Sequence, residues 1–417
     1  MPDCYLKLAA AAAAAGYLSL VFALRWRKYD EVHRKYQHRL PDKRDAQGLT
    51  PAEAQDVVHL ALGWDMPFLM TMALEFALFQ TYAVPSISKL LLATRELASR
   101  ETVSKRVADT ELLLTTWATC PINGYFPGAT NDPGQPIDPR AALSLARVNW
   151  LHSKYNIRNG DLLYTLCLFL FEPMSWAEKY GWRSFSDLEK HAWFVYWVEI
   201  GKRMNIKDIP PTFEALSEWR EQYEKEHMKP APSNAKVAKF TADELLFPFP
   251  KAFGIKEFGR RVTVCLMSER VRVAMMEEAQ PWFMHAATLG ALRALAFWNK
   301  YLMLPRRKMT SLVEIDMPRV DPATGKVRRM HPLVFQSRPW YMPQPEGFLS
   351  GIVTRLSVFF GIREFPPGPQ FESEGYNIQE MGPAKFKDEG HDEIEEAASA
   401  LLGCPIPKAY RMRDTKE

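Results

Sequence analysis

Apolar residues recur along most of this chain at the three- and four-residue spacing of one helix face, and rarely in the strict alternation of a half-buried strand. The first long apolar stretch fits neither pattern. From Leu8 to Leu24 (LAAAAAAAGYLSLVFAL) nothing is charged and no polar face exists, and Arg25, Arg27 and Lys28 follow at once. That run lies at the short end of the roughly 17–25 residues a membrane span needs. A cleaved secretory signal carries its positive charge before the apolar run, whereas here the cluster comes after it. The pattern predicts a retained anchor with the remainder of the chain on the cytosolic side. An Ala-rich soluble helix, the bland alternative, would need a polar face.

Thr50-Pro51-Ala52-Glu53 reads as an N-cap, an N1 proline and a capping-box glutamate, so a helix is expected to begin there. Leu60 to Leu92 is strongly apolar but is interrupted by Asp65-Met66-Pro67, Glu75 and Pro85, which predicts two core or membrane-grazing helices rather than a second span. Glu101–Trp117 is helical in pattern, with Arg106, Thr110, Leu113, Leu114 and Trp117 continuing one face. Asn123–Pro139, dense in Gly, Pro, Asn and Asp, is a loop. Beyond it, Ala142–Phe169 forms the centre of the pattern, where Leu145, Val148, Leu151 and His152 share a face. Ser186 and Glu189 repeat the capping-box spacing ahead of an aromatic helix running to Met204, whose stripe reads as core. Further helices are expected at Thr212–His227, Lys256–Glu278, Trp282–Leu304 (against lipid) and Asp392–Leu402, with a short helical turn at Ala242–Phe247. Val313–Gln336 reads as a small hairpin or extended chain, and Pro41–Leu49 and Lys229–Asn234 as linkers. With no internal repeat and no βαβ alternation, the class is all-α.

Composition narrows the function. At 417 residues, 47% of them hydrophobic, the chain has ample core material, and its net charge of +4 comes from interleaved acids and bases. That distribution excludes a nucleic-acid groove. The five cysteines are far apart, with no CxxC pair and no CxxCH haem attachment, as expected for reduced thiols facing the cytosol. There is no GxGxxG after a strand, no Walker loop, no GxSxG and no HExxH, so dehydrogenase, kinase, hydrolase and zinc-protease readings have no direct support. His152 remains as the residue of interest. An imidazole on a core face needs a partner, and Arg147, Asn149, Tyr155, Asp161 and Tyr164 lie close in sequence. A hydrogen-bonded core histidine is the commoner outcome for such a residue. Haem ligation asks for a neutral imidazole in an apolar slot with a polar neighbour for its other nitrogen. The residues by themselves leave both open.

A set of longer stretches adds what composition lacks. They are FALFQTYAVPSISKLL (Phe76–Leu91), SKRVADT (Ser104–Thr110), ARVNWLHSKY (Ala146–Tyr155), DLLYTLCLF (Asp161–Phe169), WRSFSDLE (Trp182–Glu189), YWVEIGKRMNI (Tyr196–Ile206) and YNIQEMGPAKF (Tyr376–Phe386). Through these, in this order, the chain resembles the fungal ER-bound MpaB-type oxygenases of mycophenolic acid biosynthesis and, over its central helical region, the latex-clearing rubber oxygenases. The resemblance implies a single large all-α domain of rubber-oxygenase type behind an N-terminal transmembrane helix, with the anchor at 1–28, the helical haem-binding domain at 29–405 and a tail at 406–417. It implies haem b with His152 as the iron ligand, and Arg147, Asn149, Tyr155 and Asp161 around the cofactor. It also places Arg106, Asp109 and Thr110 on the distal side as catalytic residues.

Two positions depart from the rubber-oxygenase pattern. Asp109 stands where the distal lysine ligand would lie, so an open or water-bound sixth position is expected, with Asp109 as a proton relay. Asn149 stands where an arginine is usual, and Arg147 or Arg158 is expected to take that role. The implied activity is oxidative cleavage of a carbon–carbon double bond in a prenyl chain by O2, in fungal secondary metabolism. Its implied partners are a lipophilic prenylated substrate and membrane lipid, with no nucleic acid and a homo-oligomer left open. The implied location is the endoplasmic reticulum membrane, single-pass, with the catalytic domain cytosolic. Alternatives are a haem-dependent monooxygenase or other redox enzyme acting on a different metabolite, and a non-catalytic membrane-anchored helical protein, for which Asp109 in place of lysine is the hint.

Overall fold

A computed structural model describes residues 2–40, 48–97, 100–126, 136–246, 254–334, 338–360, 363 and 365–412. The chain is all-α: among the described residues, β pairing is limited to two isolated antiparallel bridges, Val320 to Val327 and Met330 to Tyr376. The helices in chain order are α1 (Pro2–Leu24), α2 (Arg27–Tyr36), α3 (Pro51–His59), α4 (Pro67–Thr81), α5 (Pro85–Thr94), α6 (Arg100–Thr119), α7 (Arg140–Ser153) and α8 (Asn159–Tyr180). There follow α9 (Asp187–Arg203), α10 (Phe213–His227), α11 (Pro232–Leu245), α12 (Ile255–Leu266), α13 (Glu269–Ala274), α14 (Trp282–Tyr301), α15 (Phe348–Phe359) and α16 (His391–Leu402). They group into two compact units, each discontinuous in sequence.

The first unit comprises Met1–Ala77, Leu168–Trp197 and Pro281–Thr310. Its helix α1 is long and apolar enough to cross a membrane and leaves nearly all of its surface exposed, Leu8 and Phe22 included. Its C-terminal part is held: the Tyr17 hydroxyl donates to the Leu302 carbonyl at 2.8 Å, and Arg25, just past the helix, donates to the carbonyls of Lys300 and Met303. Both expected capping boxes are present. Thr50 and Glu53 exchange hydrogen bonds at the start of α3, and Ser186 and Glu189 do so at the start of α9. Glu189 also accepts two hydrogen bonds from Arg183, at 2.6 and 2.7 Å, while Asp65 accepts a third at 2.8 Å. Asp65 therefore closes a buried ion pair. Pro67 and Pro85 interrupt the apolar stretch as expected, each opening a new helix, α4 and α5, where a first-turn proline forfeits no helical hydrogen bond.

The second unit comprises Leu78–Cys167, Val198–Gln280 and Ser311–Glu417. Its centre is α7, which packs against α6 and α16. Small residues make this close approach geometrically available: Ala141, Ala142, Ser144 and Ala146 are buried, and the Ser144 hydroxyl donates to the Leu113 carbonyl of α6 at 2.7 Å. Elsewhere in this unit Asn234 ties α11 to α5, accepting from Ser88 at 2.6 Å and donating to the Ala83 carbonyl at 3.1 Å. The helix expected over Lys256–Glu278 is split, because Ser268 caps α13 with a hydrogen bond from Val271 N and ends α12 at Leu266. The turn expected at Ala242–Phe247 is the end of the longer α11. The Val320–Val327 bridge closes a small hairpin within Val313–Gln336. The loop at Asn123–Pro139 and the linker at Pro41–Leu49 lie largely outside the described residues.

Candidate functional site

Helix α7 carries two polar groups of opposite character on one short element. Arg147 is fully buried and spends its guanidinium on three backbone carbonyls: Met381 at 2.8 Å, Phe386 at 2.8 Å and Glu389 at 3.0 Å. Burial pushes its pKa down to about 10, still far above physiological pH. This arginine sews the 381–389 segment onto the helix. Two glycines let that segment come close. At Gly382 (φ +110°) a Cβ would meet Leu151 at 2.8 Å, and at Gly390 (φ +78°) it would sit 2.1 Å from the Trp150 ring.

His152 lies in the last turn of the same helix. Enclosure by protein, with the Arg106 charge adding to it, pushes the imidazole pKa down to about 4. The helix C-terminus favours imidazolium, so desolvation outweighs the dipole here. The ring is therefore neutral at physiological pH and offers a lone pair. Among the described residues, none hydrogen-bonds either ring nitrogen. The side chain nevertheless keeps part of its surface accessible, as do Arg106, Thr110 and Tyr155. These four side chains are thus half-buried rather than packed on all sides. The Tyr155 hydroxyl is buried without a hydrogen-bond partner among the described residues. On α6, the Thr110 hydroxyl donates to the Arg106 carbonyl at 2.6 Å, which leaves its oxygen as an acceptor.

The remaining sequence-predicted residues point to other tasks. Asp109 is buried and accepts from Lys105 Nζ at 2.8 Å, Tyr341 Oη at 2.6 Å and the Gly382 amide at 3.0 Å. Its carboxylate anchors α6 to two distant stretches of chain. Tyr341 holds a left-handed backbone (φ +61°), a conformation that costs a non-glycine residue energy and that this network holds in place. Asn149 donates to the Arg203 carbonyl at 2.8 Å, and Asp161 accepts from Ser86 at 2.7 Å and from Tyr223. Arg158 is exposed. The structure thus gathers Arg106 and His152 electrostatically and leaves Arg147, Asn149, Asp109 and Asp161 hydrogen-bonded into the frame.

Tyr82 was not singled out by sequence reasoning. It is buried between α4 and α5; burial raises its phenol pKa, while the Thr241 hydroxyl and the Arg106 charge oppose that rise. Arg106 is thus the cation felt by both His152 and Tyr82. The available signal was a phenol inside the otherwise greasy FALFQTYAVP. Lys105 was overlooked as well, although its four-residue spacing from Asp109 is that of a helical ion pair.

No family model matches the chain. Curated proteins do. The chain is 29% identical over 404 residues to the ER-bound oxygenase mpaB' of Penicillium brevicompactum, covering 93% of this chain and 90% of that protein. It is 31% identical over 276 residues to the ER-bound oxygenase mpaB of Penicillium roqueforti, covering 62% of this chain and 87% of that protein. To a further ER-bound oxygenase mpaB of Penicillium brevicompactum it is 28% identical over 344 residues, covering 78% and 75%.

Proposed function

We propose a haem-dependent reaction for this chain on one premise: the chain belongs to the MpaB family of ER-bound oxygenases. It is accordingly an O2-using oxidoreductase, and its exposed apolar helix α1 fits attachment to the endoplasmic reticulum membrane. The finer reading is a b-type haem held by His152, a prenylated lipophilic substrate, and oxidative cleavage of a carbon–carbon double bond in the prenyl chain. The observation that carries it is His152 itself: an enclosed imidazole, neutral at working pH, with partly accessible surface and ring nitrogens that no described residue occupies. Those are the properties of a ligand histidine, and they are costly for a histidine whose role is only to fill a core.

Bound haem supplies the iron at which O2 is activated. Everything else falls to the chain. Arg106 presents a cation near His152, where it can stabilise developing negative charge, and it adds to the desolvation that keeps the imidazole unprotonated. Thr110 offers an acceptor oxygen beside it on the same helix. The unpaired Tyr155 hydroxyl supplies a hydrogen-bond donor close to His152 in sequence. Arg147, Asn149 and Asp161 act by fixing α7 and the start of α8, and Asp109 by fixing α6 through Lys105 and Tyr341. The positive cluster of Arg25, Arg27 and Lys28 after α1 orients the chain with its helical body in the cytosol. A prenyl chain partitions into lipid, so an enzyme fixed at the bilayer meets it there.

Two measurements on the detergent-purified full chain test this. A pyridine haemochrome assay is expected to give about one haem b per chain; well-folded protein made with ample haem and containing none contradicts the cofactor assignment. Reaction of a prenylated phenol under 18O2, with carbonyl exchange controlled, is expected to place label in both carbonyl fragments. Label in a single uncleaved product means monooxygenation instead, and no turnover of any prenylated substrate contradicts the substrate class.

A further inference from the structure

Helix α15 (Phe348–Phe359) in the second unit is built inside out. At 100° per residue, the exposed side chains Phe348, Leu349, Ile352, Val353, Leu356, Phe359 and Phe360 span an arc of about 140°. Phe348 and Phe359 are each 82% exposed and Leu349 77%. The sheltered arc holds Ser350, Gly351, Thr354 and Ser357, with Val358 as its one larger apolar residue. A helix that meets water on its outer face carries the reverse pattern. The hydroxyls on the sheltered side are satisfied within or next to the helix: Ser350 donates to Glu346 O at 2.6 Å, Thr354 to Ser350 O at 2.9 Å and Ser357 to Thr354 O at 2.7 Å. The helix therefore asks nothing polar of its surroundings along its outer arc.

Charge says what covers that arc. The helix itself contains no acidic residue and Arg355 lies exposed at the edge of the apolar arc; Glu346 precedes the helix, and Arg363 and Glu364 follow it. At 12 residues α15 is too short to span a bilayer, so its axis has to lie along the surface. A protein partner would be expected to offer some polar complement around the rim, whereas an apolar face edged by arginine matches acyl chains beneath anionic headgroups.

We propose that α15 is a second membrane contact, lying in the interface of the endoplasmic reticulum bilayer with its phenylalanine and leucine side chains among the acyl chains and Arg355 among the lipid phosphates. This rests on attachment of the chain to that membrane and is independent of the haem assignment. It gives the second unit a lipid contact of its own, separate from α1.

The test uses the full chain in nanodiscs of phosphatidylcholine with a minor fraction of phosphatidylserine. Because Cys4 is exposed, it is replaced by serine, and a polarity-sensitive fluorophore is placed through Val353→Cys or, as a water-facing reference, Glu221→Cys. The chain without an added cysteine provides the blank. Emission at position 353 is expected to be blue-shifted and quenched several-fold more strongly by doxyl-labelled lipid than emission at 221. Adding Leu349→Glu and Phe359→Glu is expected to abolish that difference, with circular dichroism and haem content unchanged. Emission at 353 as red-shifted and as weakly quenched as at 221 overturns the proposal. So does a blue shift without lipid quenching that grows with protein concentration, which assigns the face to a second copy of the chain.

Discussion

Arg147 and His152 stand one and a half turns apart on α7, and their environments are opposite. Arg147 has a carbonyl for each nitrogen of its guanidinium, so every nitrogen of a buried charge has a hydrogen-bond partner. His152 is half-buried, no described residue bonds its ring, and desolvation drives it neutral. Saturation separates frame from site on this helix: a buried polar group whose bonds are complete holds structure together, and a desolvated one left incomplete is available for chemistry.

The sharpest way to break that comparison is Arg147→Met. It leaves the buried Met381 carbonyl and the part-buried Phe386 and Glu389 carbonyls without this donor and is expected to cost roughly 3–4 kcal/mol, read as a lowered urea midpoint in detergent. An unchanged midpoint removes Arg147 from the frame. Glu75 shows a third solution to burial, a shift toward its neutral form, since desolvation raises its carboxyl from 4.5 to about 7. A raised carboxyl pKa means that the folded state binds more protons between those values, so stability falls as pH rises through that window. Glu75→Gln removes the dependence and is expected to gain roughly 2–3 kcal/mol over wild type at about pH 8 but little at about pH 5. Parallel stability–pH curves for the two proteins contradict this. Tyr341→Phe removes one of three donors to Asp109 and is expected to cost roughly 1–2 kcal/mol, with haem content unchanged. Lost haem at unchanged stability would move Asp109 from the frame into the site.

Local signals were legible in the sequence, and tertiary bookkeeping was not. The capping boxes at Thr50–Glu53 and Ser186–Glu189, the apolar helix α1 and the all-α class each depend on residues within a few positions of one another. His152 was visible because a titratable ring broke an apolar face. The fate of Arg147 was not, because its three acceptors lie between 234 and 242 residues away in the chain. Asp109 looked like a replaced ligand because nothing local reveals Tyr341 or Gly382. Helix α15 escaped notice because an exposed apolar helix and a core helix share one composition, and only burial tells them apart.

The most direct test of the central claim sets His152→Ala beside wild type and Arg147→Met, recording the Soret band together with near-ultraviolet circular dichroism and the urea midpoint. His152→Ala is expected to fold with a midpoint within about 1 kcal/mol of wild type, because no hydrogen bond is lost, while its Soret band disappears or shifts. Retention of stoichiometric haem with an unchanged Soret band, in a folded His152→Ala protein, would contradict the assignment of this histidine as the ligand.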